Sequence, residues 1–174
     1  MAKMGAPLKI KKERISELFK NEPDGDILVS GLFELKTNDF EKEKDLLDFI
    51  VTHIEEFTQT VLDDEVISFE VELPITKQRV ASPRGRRVDL FIKGKKKTYI
   101  IELKRPTSQS ENRTGIGQIL DYGREFPVPE KELILITTFF DMNTARTIKY
   151  YNLPIRYVFF SKSQVFEYKG ENND

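Results

Sequence analysis

Residues 86–105 read RRVDLFIKGKKKTYIIELKR, and the fold of the chain is decided here. Arg87–Ile92 and Thr98–Lys104 are two apolar runs rich in β-branched and aromatic residues. They flank the turn KGKKK, and Pro106 closes the second run, so the stretch reads as a β-hairpin. If the turn is centred between Lys95 and Lys96, residues whose numbers sum to 191 face one another, which sets Asp89 opposite Glu102. Strand side chains alternate, so Lys104 lies on the same face as Glu102, beside the carboxylate pair.

Two like charges directly opposite each other destabilise a sheet, and their presence in an apolar hairpin calls for a counter-charge that a divalent cation can supply. The chain has no cysteine and one histidine, so a nitrogen and sulfur zinc cage is excluded and any ion is held by oxygen. Magnesium, with manganese as its substitute, is the expected metal. Such an ion polarises a phosphodiester and lowers the pKa of a bound water, while Lys104 orients the water or neutralises charge developing on phosphate.

The surroundings point the same way. From Lys77 to Arg105 there are eleven basic residues against Asp89 and Glu102 alone, a segment of +9 in a chain whose net charge is −1. A chain polarised in this way fits a nucleic-acid partner. Arg84, Arg86, Arg87, Lys95, Lys96, Lys97, Arg105 and, further on, Arg113 are the candidate backbone contacts.

The 174 residues, with 39% apolar content, 13 Phe and 6 Tyr, suit one compact domain with a real core. We expect a nuclease-type domain over 37–170, preceded by an extension over 1–36 of uncertain structure packed on it. No apolar run resembles a signal peptide or approaches a membrane span, and the protein reads as cytoplasmic, without a membrane partner.

Outward from the hairpin, Ile15, Leu18 and Phe19 predict a short N-terminal helix, and ILVSGLFEL predicts a strand broken at Ser30 and Gly31. Thr37, Asn38 and Asp39 are candidate caps for one long amphipathic helix from about Phe40 to about Val61. Val66–Leu73 alternates as a half-buried strand ending at Pro74, and a polar loop, TSQSENRTG, leads to a helix near Ile116–Phe126. Glu132–Phe139 is apolar enough for a central strand covered on both faces. Asn143–Tyr151 then reads as a helix, with Ile155–Phe160 and Val165–Tyr168 as closing strands.

The E-x-K pattern alone is weak, since Glu34-Leu35-Lys36, with Asp26 upstream, and Glu167-Tyr168-Lys169 match it too. The first lacks basic surroundings, and the second has no helix after it.

RRVDLFIKGKKKTYIIELKR followed by GIGQILDYGREF resembles the core of the PD-(D/E)XK, or restriction-endonuclease-like, nuclease superfamily. Within it the pattern is most similar to the archaeal and actinobacterial mismatch-type endonuclease domain. The resemblance covers roughly residues 40–138 and is strongest over 86–126. It implies a three-layer α/β fold with a mixed central sheet flanked by helices, in the core order α-β-β-β-α-β. It also implies Asp89 and Glu102 as metal ligands, Lys104 as the catalytic lysine, and Gln118 and Tyr122 lining the site from one helix face. A glutamate on the first core helix, a further metal ligand, is carried to Glu43, with Glu41 as the fallback. Val88, not Pro, precedes Asp89, and the separate N-terminal DNA-binding domain of the full mismatch endonuclease has no counterpart, so mismatch specificity is not implied.

The expected function is therefore Mg²⁺-dependent hydrolysis of DNA phosphodiesters by an endonuclease. A catalytically silent nucleic-acid-binding module of the same fold, and a nuclease acting on RNA, are the alternatives. Symmetric substrates would favour a homodimer, with the apolar C-terminal strands as the candidate interface.

Overall fold

A computed structural model describes residues 26–32, 40–74, 87–105, 109–138, 140–161 and 164–169. The N-terminal helix around Ile15, the caps at 37–39, Lys36 of the first decoy, and Arg84 and Arg86 lie outside these residues. The described chain runs β1 (Asp26–Leu32), α1 (Glu43–Thr52), α2 (Ile54–Val61), β2 (Val66–Pro74), β3 (Arg87–Gly94) and β4 (Thr98–Lys104). It continues through α3 (Gln109–Glu125), β5 (Lys131–Thr137), α4 (Met142–Tyr150), β6 (Ile155–Ser161) and β7 (Gln164–Lys169).

The strands form one seven-stranded mixed sheet in the order β1-β7-β6-β5-β4-β3-β2. β4, β5 and β6 are parallel neighbours, and the outer pairings are antiparallel. Parallel strands are stable only when covered on both sides, and alternation along the strands shows how this is met. Tyr99, Ile101, Leu103, Ile134, Ile136, Val158 and Phe160 pack with Leu46, Ile50, Phe57 and Val61 of α1 and α2. Ile100, Leu133, Leu135 and Tyr157 pack with Ile116, Ile119 and Tyr122 of α3 and Ala145 and Ile148 of α4. The result is three layers in the expected core order, with β5 in the middle of the sheet and buried from Leu133 to Thr137.

Several expectations change. The long helix over 40–61 is two helices broken at His53, whose φ is −113° and ψ 32°. The hydroxyl of Thr52 donates to the Asp48 carbonyl at 2.7 Å, and the His53 ring nitrogen Nδ1 sits 2.9 Å from the Phe49 carbonyl, so side chains compete for the carbonyls at the break. The helix expected near Ile116 begins at Gln109, taking up much of the stretch read as a polar loop. The buried Asn112, which donates to Asp141 of the α4 cap, ties that first turn down.

β2 is not half-buried. It is an edge strand whose Ile67, Phe69 and Val71 are exposed, with Val66 at its start packed against the α1 and α2 core. The apolar side chains of the C-terminal strands, conversely, are used within the chain: β6 is interior, β7 is flanked by β1, and Val165, Phe166 and Tyr168 are buried. β1 extends the sheet edge, and its pairing with β7 shifts register between Val29 and Gly31, where the sequence suggested a break. Among the described residues no helix is long and apolar enough to cross a membrane.

Candidate active site

The hairpin register decides the site. Leu90 pairs with Ile101, Phe91 with Ile100, Ile92 with Tyr99 and Lys93 with Thr98, all obeying the sum expected from the turn. Beyond Leu90 the ladder gives way to a side chain: Asp89 Oδ2 accepts the backbone N–H of Leu103 at 2.8 Å. This turns the Asp89 carboxyl toward β4, into contact with that of Glu102.

Glu102 is 1% exposed, and its Oε1 takes the Lys104 ammonium at 2.7 Å. Its Oε2 is buried with no donor from the described chain. Burial, followed by the adjacent Asp89 charge, pushes the Glu102 carboxyl up to about 8 against the pull of Lys104. Burial also raises Asp89, opposed by the Leu103 N–H and by Lys104. Two ionised carboxylates cannot hydrogen-bond to each other, so without a cation the pair holds a shared proton near neutrality. Lys104 loses some basicity to burial, but Glu102, Glu43 and Asp89 more than restore it, and it stays an ammonium.

The close approach of α3 fixes Lys104 in place. A Cβ on Gly115 would lie 3.1 Å from Lys104 Cγ and 3.1 Å from Leu135 Cδ1, and one on Gly123 would lie 2.6 Å from Leu133 Cδ1. The two glycines therefore let the helix settle onto β4 and β5, with Gln118 and Tyr122 between them in sequence. Gln118 Nε2 lies 3.4 Å from the Tyr122 hydroxyl, and Gln118 Oε1 is buried without a donor from the described chain. Tyr122 is buried in the α3–sheet core.

Glu43 is the first residue of α1, with its carboxylate 4.0 Å from Lys104 Nζ. Burial raises its pKa, with Lys104 opposing. Glu41, the fallback, instead offers its backbone carbonyl to Arg105.

Of the other proposed contacts, Arg87 and Arg105 lie at this end of the hairpin, and the turn lysines do not. Lys95 pairs with Glu65 at 2.5 Å, Lys96 with Asp63 at 3.2 Å, and Lys97 with Glu132. All three sit at the turn, roughly 20 Å along the strands from Lys104. Arg87 pairs with Glu72 at 3.5 Å, and Arg113 is exposed on α3. The described part of the +9 segment is thus divided between the two ends of the hairpin. Of the E-x-K decoys, Glu167 is buried and held by Arg156 at 2.6 Å, a structural pair. Asp26 lies on the edge strand β1, far across the sheet order from β4.

Sequence reasoning missed Glu72 and Asp64. Glu72 lies between Val71 and Leu73, which pair with Leu90 and Val88, so it stands across from Asp89, and its charge helps to raise the Asp89 carboxyl. Residues 75–86 separate β2 from β3, so no count from a tight turn reaches it. Asp64 is the clamp of the turn: its carboxylate accepts from Lys96 N, Lys97 N and the Tyr99 hydroxyl. Only the run of acids before β2 hinted at it.

The donor set can be tested against magnesium. Among the described residues no three acidic or histidine side chains form a ready cage. Magnesium needs less, because it keeps several waters and takes one or two carboxylates together with phosphate oxygens. Asp89 and Glu102, with the undonated Glu102 Oε2 between them, meet that requirement.

No family model matches the chain, and no curated protein matches it. Among solved structures it is similar to the small subunit of the heterodimeric restriction endonuclease R.BspD6I. The TM-score is 0.38 and the identity 12%, over 67% of this chain and 71% of that one. A likeness of that size leaves the function to the chemistry of the site itself.

Proposed function

We propose that the chain is a metal-dependent nuclease that hydrolyses DNA phosphodiesters as an endonuclease, with Asp89 and Glu102 holding Mg²⁺ and Lys104 as the catalytic lysine. The observation that carries this reading is the pairing of Asp89 with the buried Glu102, two carboxylates in contact with an undonated oxygen and one ammonium beside them. A structural ion pair has no use for the second carboxylate, which costs stability unless a cation joins it.

When bound, the ion supplies Lewis-acid polarisation of the phosphodiester and a lowered pKa for water. The chain's own residues do the rest. Lys104 is held by Glu102 and by the contact with α3 at Gly115. As a fixed ammonium it orients the attacking water and neutralises charge gathering on the phosphate oxygens, but it is no general base. Asp89 is aimed by the Leu103 N–H. Gln118 offers its free Oε1 to a water or substrate group, with Tyr122 limiting its swing, and Glu43 adds negative charge across Lys104 from Glu102.

The test is incubation of the wild type and Lys104→Ala with linear duplex, single-stranded, branched and mismatched DNA and with RNA, in magnesium or in chelator. Cutting that requires metal and falls about 10²–10³-fold in Lys104→Ala, while binding survives, supports the enzyme. Binding without any cutting by the wild type would sink it in favour of the silent binding module, and cutting of RNA alone would replace the substrate.

A further inference from the structure

A cleft of about 360 Å³ lies between α3 and α4, lined by Arg113 and Ile116 on one side and by Arg146, Tyr150 and Tyr151 on the other. Tyr150 is 82% exposed and Tyr151 67%, the two most exposed large apolar side chains described. They pack edge to face with centroids 4.9 Å apart, which steadies the pair and leaves flat ring surface open. Nothing in the core requires tyrosine there.

The one acid in the cleft, Asp141, is already engaged. Its carboxylate caps α4 by accepting from Thr144 N at 2.9 Å and takes Asn112 Nδ2 at 3.3 Å. Of the charged side chains lining the cleft, two are arginines and one is Asp141, so the lining carries a net positive charge. Beneath it, Asn112 is 1% exposed and its Oδ1 has no donor from the described chain. Arg113 is two residues along α3 from Gly115, which abuts Lys104, so the cleft and the catalytic centre share a turn of that helix and lie on different faces of it.

Exposed aromatic faces beside guanidinium groups hold unpaired nucleic-acid strands, because bases stack on rings while cations follow the phosphates. Duplex DNA hides its bases and would use the arginines alone. We infer that the α3–α4 cleft seats an unpaired strand, with Tyr150 and Tyr151 as stacking platforms and Arg113 and Arg146 on the backbone. The substrate class is then nucleic acid with single-stranded character near the cut. This rests on the nuclease reading above, but its test does not.

Binding is measured by fluorescence anisotropy in chelator, so that no cleavage intervenes. The probes are a labelled DNA strand of about 16 nucleotides, its blunt duplex, and the RNA strand of the same sequence. The wild type should bind the strands more tightly than the duplex, and the DNA and RNA arms tell which backbone is preferred. Tyr150→Ala/Tyr151→Ala should weaken strand binding at least about ten-fold and close the gap to duplex, whereas Tyr150→Phe/Tyr151→Phe keeps the rings and should retain it. Arg113→Ala should weaken every probe and reduce the salt slope by about one. Strand binding unchanged in the double alanine variant, equal losses on strand and duplex, or a wild type that prefers duplex each overturn the proposal. Strand binding lost in the double alanine variant of a protein that never cuts with magnesium upholds the cleft and removes the nuclease. Metal-dependent cutting alongside unchanged strand binding in that variant does the reverse.

Discussion

The two ends of the β3–β4 hairpin are made from the same residue types and use them in opposite ways. At the turn, three lysines meet Asp63, Glu65 and Glu132, and Arg156 joins Glu132 to Glu167, so that each of these charges has a partner of the other sign. Asp64 is nearly buried there too, but its carboxyl stays below the usual range, because the opposing effect of burial is outweighed by the Glu65, Lys96 and Lys97 N–H groups and the Tyr99 hydroxyl. At the open end, Asp89 and Glu102 face each other, Glu43 and Glu72 add their charge, and Lys104 is the ammonium among them. Both carboxyls of that pair are raised. Satisfied charges mark the end that holds the fold, and frustrated ones mark the end poised for a ligand.

Breaking the satisfied end should have the largest effect on stability. Asp64→Ala strips the acceptor from three backbone N–H groups and a hydroxyl, and we expect a loss of about 2–4 kcal/mol in chemical denaturation. Gly94→Ala attacks the same clamp from the other side, because its Cβ would stand 2.2 Å from Asp64 Oδ2. A loss of about 1–3 kcal/mol is expected, and a melting temperature equal to the wild type's would show that the turn yields freely.

The frustrated end should respond with the opposite sign. Glu102 titrates at about 8 when folded, above its unfolded value, so the folded protein binds more protons between the two pKa values. In chelator, stability should therefore be free of this penalty at acid pH and fall as pH rises from about 5 toward 8. Glu102→Gln should flatten that fall and raise the melting temperature at pH 8, while magnesium should stabilise the wild type more as pH rises, because binding displaces the shared proton. Calorimetry across this range checks all three. A wild type whose stability climbs with pH would remove the frustration from the argument.

The smallest effect belongs to the exposed turn pairs. Lys96→Ala should change stability by less than about 0.5 kcal/mol and leave oligonucleotide affinity unchanged. A clear drop in affinity would return the turn to the nucleic-acid surface.

The hairpin, its register and its three facing residues were legible in the sequence because they follow from local rules. A two-residue turn fixes which numbers face each other, and alternation fixes the side, so Asp89, Glu102 and Lys104 needed no distant information. The apolar run of β5 likewise announced a covered central strand. How the basic segment is neutralised was not legible, because charge runs do not record their partners: Asp63, Asp64 and Glu65 lie some thirty residues before the turn lysines they bind, and Glu132 as far beyond them. β2 misled for a related reason. Its alternation says which side chains share a face but not whether a helix covers that face.

The sequence by itself determined the hairpin, the carboxylate pair with its lysine, and the core order of helices and strands, all set by short-range geometry and hydrophobic period. Only the tertiary structure decided which lysines are neutralised, that Glu72 stands across from Asp89, and that two tyrosines stand open beside two arginines. Those facts depend on packing between segments far apart in the chain, where long-range contacts and desolvation act and no local pattern carries the information.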